Sequence, residues 1–179
     1  MSLETMFATP ESAVAQVLGF LAMLLGFAMY AFHTRGRILL AKLAADALWV
    51  GHYLLLGASS GALINGVNMV REGVFYHKAK KWASNLAWPF LFLVLNLLMT
   101  ALSWQGAISL LPMVGSSLNV LGLWCSDPKH MRLISIPALT AWLIYSVTVG
   151  SLWSLLVNGA SICSAVYGLL RDARQKRNS

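Results

Sequence analysis

Trp49 to Gly66 reads WVGHYLLLGASSGALING, and Trp142 to Gly159 reads WLIYSVTVGSLWSLLVNG. A shift of 93 positions lays Trp142 on Trp49, Gly150 on Gly57, Asn158 on Asn65 and Gly159 on Gly66 without a gap. A match at one fixed offset marks an internal repeat. Working outward, apolar runs of the length a bilayer core demands fall at residues 13–32, 38–56, 60–77, 83–103, 106–124, 132–150 and 152–170. Span three has the poorest apolar score, because Arg71 and Glu72 interrupt it. The repeat superimposes spans one to three on spans five to seven and leaves span four as a linker. Three spans plus one linker is an even number, so the second triplet enters the membrane in the same direction as the first. The expected fold is an all-α membrane protein of seven transmembrane helices, as two parallel three-helix bundles joined by a linker helix. Parallel repeats are related by an axis along the membrane normal, with a solute site at their interface.

Composition supports lipid as the solvent. Of the 179 residues 58% are apolar and only 11% charged, with a mean hydropathy of +0.69, whereas soluble domains carry about 25% charged residues. An ordinary water-facing domain and a disordered chain are both excluded. Cys125 and Cys163 lie far apart with no Cys or His at metal spacing, so neither a disulfide framework nor a metal site is expected. Seven spans of roughly 20 residues leave no room for an extramembrane domain, and function must reside inside the bundle. The residues before span one include Glu4 and Glu11 and no Lys or Arg. Span one therefore reads as a retained helix rather than a cleaved signal peptide.

The formal net charge of +7 is a statement about topology. Arg35 and Arg37 follow span one, Lys78, Lys80 and Lys81 follow span three, Lys129 and Arg132 follow span five, and Arg171, Arg174, Lys176 and Arg177 close the chain. The alternate connections, residues 57–61, 103–106 and 150–152, carry no charge. By the positive-inside rule the basic loops and the C-terminus face the cytoplasm and the N-terminus lies outside. Nucleic-acid binding is not expected. The chain divides into an outer segment 1–12, a first bundle 13–77, a linker helix 83–103, a second bundle 106–170 and a basic tail 171–179.

The 3+1+3 order, the outer N-terminus and an Asn on each third helix resemble the SWEET and PQ-loop transporter superfamily. His52-Tyr53-Leu54-Leu55-Leu56-Gly57, Asn65 with Arg71, and Leu110-Leu111-Pro112-Met113-Val114-Gly115 resemble the YgjV-type bacterial inner-membrane proteins over nearly the whole chain. The closer resemblance implies a multi-pass protein of the bacterial inner membrane, and the more distant one implies transport. In SWEET-like proteins a pair of third-helix asparagines, with second-helix residues, lines a central solute pocket. By that resemblance Asn65 and Asn158 are the pocket pair, with Trp49 and Trp142 as walls. The superfamily flexes at prolines in the first and second helices of each half. Pro112 and Pro137 suit that hinge role in the second half, but their repeat partners are Gly19 and Ala44.

The residues themselves add chemistry. An amide in lipid is costly without partners, and two at equivalent positions offer two donors and two acceptors to a sugar, amide or similar polar solute. Hydrogen bonding between helices is the alternative use. Asn68 shares the face of Asn65, and its repeat partner Ser161 is also polar. On span two Lys42, Asp46, Trp49 and Tyr53 form one stripe, so that face cannot meet lipid. Asp46 and Arg71 reach comparable depth from opposite ends and are expected to pair, as a registry or coupling device. Glu72 is expected to meet the basic loop. His52 is either a proton-coupling site or a helix-packing histidine.

No phosphate-binding glycine loop, zinc motif or nucleophile elbow occurs, so neither enzyme activity nor a cofactor is expected. The expected function is transport of a small polar solute by rocking one bundle against the other. A non-transporting membrane protein of the same fold, acting as a partner subunit or receptor, is the alternative. Expected partners are the bilayer, the solute and a second copy of the chain.

Overall fold

Within lipid a backbone must satisfy its own hydrogen bonds, so apolar runs become helices. The computed structural model describes residues 9–28, 32, 34–125 and 128–177. Among them are seven α-helices: α1 Pro10–Ala28, α2 Arg35–Leu55, α3 Ser59–Tyr76, α4 Ala87–Leu102, α5 Leu110–Trp124, α6 Pro128–Thr148 and α7 Leu152–Arg177. A 3₁₀ turn, Ala107–Ser109, leads into α5. Most of the segment 1–12 and the end of span one, residues 29–31, lie outside the described residues.

Local chemistry sets the helix ends. Proline opens α1 and α6, at the position where its missing N–H is no loss, so α6 begins four residues before the expected start at 132. Before α1, Ser12 N–H donates to Thr9 Oγ1 (3.2 Å) and Thr9 N–H to Ser12 Oγ (3.0 Å), a reciprocal cap. The helix α7 runs on to Arg177, so the tail expected from residue 171 continues the last helix.

The repeat is visible in the backbone. Residues 35–55 of α2 and 128–148 of α6 stand 93 apart at both ends, and α3 and α7 begin 93 apart. Both junctions close with the same glycine-based C-cap. Ala58 N–H reaches Tyr53 O (2.8 Å) and Gly57 N–H reaches Leu54 O (3.0 Å); Ser151 N–H reaches Ser146 O (2.9 Å) and Gly150 N–H reaches Val147 O (3.3 Å). Gly57 and Gly150 take φ of 71° and 70°, a conformation glycine alone adopts without strain.

Packing closes the helices into a ring. The helix α2 packs against α1 and α3, α6 packs against α5 and α7, α3 meets α5, and α1 meets α7. Outside the ring α4 bridges α3 and α5, burying a stripe of Pro89, Phe92, Asn96 and Thr100 while Phe90, Val94, Leu97 and Leu98 face outward. Among the described residues five helices are long and apolar enough to cross a membrane, while α4 has only 16 residues. The low hydropathy of α3 has a different cause: eleven of its 18 residues are buried, Arg71 and Glu72 among them. Its charged groups and asparagines are turned toward the interior of the bundle.

Candidate functional site: a cavity within the helix ring

A cavity of about 690 Å³, the scale of a small-molecule pocket, lies inside the ring. All six ring helices line it and α4 supplies none of the lining. The stripe Lys42, Asp46, Trp49 and Tyr53 faces it from α2, as do Asn65 and Asn68 from α3, Trp142 from α6, and Asn158 and Ser161 from α7.

Four of these residues share one level. Trp49 and Trp142 each stand six residues before the last residue of their helix, and Asn65 and Asn158 each six after the first. At 1.5 Å per residue all four sit about 9 Å inside the charge-poor end. Trp49 stacks on Tyr53 at 5.8 Å, and Tyr53 on Trp142 at 6.1 Å, so an aromatic wall runs from one half to the other.

The two asparagines are held by the same backbone contact. Asn65 Nδ2 donates to Gly61 O (2.8 Å) and Asn158 Nδ2 to Ser154 O (2.8 Å), four residues back in each helix. A backbone carbonyl only accepts, so the amide orientation is fixed and each Oδ1 is the group left to serve the cavity. The expectation of two donors and two acceptors is therefore corrected: Asn65 spends one N–H on its own helix, while Asn158 spends both, its Nδ2 also reaching Ser154 Oγ (3.1 Å), which leaves the pair one free N–H against two Oδ1 acceptors.

At the charge-poor end the halves are stitched together. Tyr53 Oη donates to Ser154 Oγ (2.7 Å), which also meets Ser146 Oγ (2.7 Å). Gly61 N–H donates to Tyr145 Oη (2.8 Å), which lies 3.2 Å from Ser60 Oγ and 3.5 Å from Ala58 O. A Cβ on Gly61 would stand 2.7 Å from the Tyr145 ring, so this approach requires glycine. His52 Nδ1 lies 2.7 Å from Ala15 O and Nε2 2.7 Å from Ser151 Oγ. The carbonyl needs a donor, so Nδ1 carries the proton and Nε2 accepts from Ser151. His52 and Tyr145 are repeat equivalents, and each reaches the residue preceding the third helix of the opposite half, Ser151 and Ala58. His52 is fully buried in this seal and is not among the cavity-lining residues.

Toward the basic end the charges gather on one wall. The direct ion pair expected between Asp46 and Arg71 is not formed. Asp46 Oδ2 pairs with Lys42 Nζ (3.3 Å), Lys42 Nζ also pairs with Glu72 Oε1 (3.2 Å), and that oxygen takes Arg71 Nη2 (2.7 Å). Glu72 therefore does not reach the basic loop; Arg71 and Glu72 are fully buried, and Lys42 is their link to Asp46. Arg71 Nη1 donates to Ser116 O and Oγ (3.4 Å each), and Ser116 Oγ donates to Asn68 Oδ1 (2.5 Å), tying the charges to α5. Two formal positive and two formal negative charges make a neutral quartet.

Pro137 lies inside α6 and Pro112 in the first turn of α5, where a proline bends no established helix. Tyr145, Ser154, Ser151 and Ser116 were not singled out from the sequence. Their partners in the first half, Gly61, Tyr53, His52 and Arg71, lie 45 to 101 positions away, and no local spacing signals such contacts.

A sequence model of the bacterial inner membrane protein family Imp-YgjV matches residues 13–176. The chain belongs to this YgjV family. It is similar to the inner membrane protein YgjV of Escherichia coli (strain K12), 21% identical over 165 residues that cover 92% of this chain and 87% of that protein. No solved structure matches the chain. The family match contains every residue that lines the cavity, from Gly26 to Arg171. With its apolar helices, this makes the chain a multi-pass inner membrane protein in contact with the bilayer.

Proposed function

We propose that this YgjV-family member is a SWEET-like transporter that moves a small polar solute across the bacterial inner membrane, without chemical change, through the cavity between its two halves. The observation that carries the reading is the cavity itself. It holds a matched Asn and Trp pair from the two halves at one level, is stitched shut across the halves at the charge-poor end, and is lined by Arg132 and Arg171 at the basic end. With the basic end cytoplasmic, this is an inward-facing state with the N-terminus outside. Transport then requires the seal of Tyr53, Tyr145 and His52 to part while the basic end closes, with the halves rocking about the central cavity.

The test is labelling by a membrane-impermeant thiol reagent in oriented membranes. Cys125 and Cys163 are first replaced by Ser, and Asn65→Cys or Asn158→Cys is introduced singly. The reagent should reach both positions from the cytoplasmic side. Adding Tyr53→Phe and Tyr145→Phe should admit it from the outside as well. Protection from both sides in every background overturns transport and leaves the non-transporting membrane protein, a partner subunit or receptor, as the function.

A further inference from the structure

Resting on the transporter reading, we infer that the solute is an organic ammonium ion, and that the ammonium of Lys42 is its tethered stand-in on the cavity carboxylate Asp46. Two independent features of the cavity point there. The first is the Asn pair, whose Nδ2 groups are held by the Gly61 and Ser154 carbonyls and whose Oδ1 atoms serve the cavity as acceptors. With one free N–H against two acceptors, that level suits a solute that brings its own N–H or O–H donors better than a carboxylate or phosphate.

The second feature is the arrangement around Asp46. It is the one carboxylate among the lining residues, and it lies three residues beyond Trp49, about 4.5 Å further from the charge-poor end. Its partner is Lys42, whose side chain remains 23% exposed while that of Asp46 is 6% exposed. Lys42 has a second carboxylate already in reach, Glu72 Oε1 at 3.2 Å, and Glu72 Oε2 is buried without a partner. The flexible Lys42 stem can therefore leave Asp46 and settle wholly on Glu72 without stranding a charge. Arg71 holds Glu72 in place at 2.7 Å throughout. A cationic solute would take the vacated position on Asp46, within the same cavity that Trp49 and Trp142 line.

The other two lining charges lie further out. Arg132 and Arg171 line the cavity roughly 10 and 15 Å closer to the basic end than Asp46, by helix rise. The wall facing the quartet carries Ser135, Leu139, Ser164 and Ala165 at the repeat-equivalent positions, none of them charged. Charge preference in the deep chamber thus falls to Asp46 and its movable lysine.

The experiment measures binding to the purified full-length protein in detergent. Matched probes are n-butylammonium and benzylammonium, their alcohols 1-butanol and benzyl alcohol, and the carboxylates butyrate and benzoate. Each ammonium should bind at least tenfold tighter than its alcohol, and the carboxylates weakest. Asp46→Asn should remove the ammonium preference, so that each ammonium binds no tighter than its alcohol. Lys42→Met should tighten ammonium binding several-fold by removing the internal competitor; if that variant does not fold, wild type against Asp46→Asn decides. Equal binding of alcohol and ammonium, or an ammonium affinity indifferent to Asp46→Asn, overturns the inference. A neutral polyol whose binding is lost in Asn65→Ala overturns the ammonium alone and leaves the pocket standing. If no probe binds, the inference falls, and the labelling pattern decides separately whether the transporter reading falls with it.

Discussion

The α2–α3 wall of the cavity and the α6–α7 wall share a backbone and differ in charge. Their helices begin in one register, 93 residues apart, and both turns close on a glycine at nearly equal φ. At the level of the Asn pair Trp49 matches Trp142 and Asn65 matches Asn158. Toward the basic end the walls part: the repeat partners of Lys42, Asp46, Arg71 and Glu72 are Ser135, Leu139, Ser164 and Ala165. Keeping four ionisable groups in a helix ring is expensive, and a buried ion network is often no more stable than its apolar replacement. The second wall demonstrates that the same backbone path accommodates uncharged residues. The quartet is therefore a feature of the first wall that the shared backbone path does not itself require.

The sharpest way to break that comparison is to remove one member from each wall. Arg71→Ala leaves Glu72 to Lys42 alone and also strips Ser116 of its cationic partner. We expect a loss of about 3–5 kcal/mol, the usual cost of leaving a buried charge half-paired, seen as a lower midpoint for unfolding in detergent. Its equivalent Ser164→Ala should change stability by less than about 0.5 kcal/mol. Comparable effects at the two positions would mean that the charged wall is not the specialised one.

The seal at the charge-poor end gives a smaller difference. Tyr145→Phe leaves the Gly61 N–H without its 2.8 Å acceptor in a buried place, which costs about 1–3 kcal/mol. Tyr53→Phe deletes a single hydroxyl bond to Ser154, which still has Ser146 and Asn158, and should cost about 1 kcal/mol. Thermal unfolding of the two variants side by side measures the difference. A larger loss for Tyr53→Phe would place the main fastening on α7 rather than on α3.

These sites also divide what could be read from the sequence from what could not. The Asn and Trp level was legible because repeat and helix rise are both periodic, so equal offsets give equal depths. The turn positions were legible from Gly57 and Gly150. The ion partners were not. Residues adjacent on a helix point about 100° apart and do not ordinarily face each other, so the sequence signals a partner for Arg71 only by depth, as at Asp46. The long Arg71 and Glu72 side chains meet anyway, because a partner at hand in the interior is worth more than an ideal angle. The seal was invisible for a different reason. The approach of Tyr145 to Gly61 joins helices 84 residues apart, and only the folded ring brings them together.

The smallest expected effect tests the shared part of the two walls. Gly57 and Gly150 each take the left-handed conformation at the end of a second helix, φ 71° and 70°. A Cβ at Gly57 would meet nothing within 4 Å, so the cost of Gly57→Ala is the backbone penalty alone, about 1 kcal/mol or slightly more. Gly150→Ala should cost the same, because its turn repeats the same pair of backbone hydrogen bonds. The turns contribute to separate helix pairs and share no partner, so the double variant should equal the sum within about 0.5 kcal/mol. Unfolding midpoints for the three variants measure this directly. A double variant much less stable than the sum would mean that the turns are fastened to each other through the seal above the cavity, and the two walls would then have to be treated as one cooperative unit at that end.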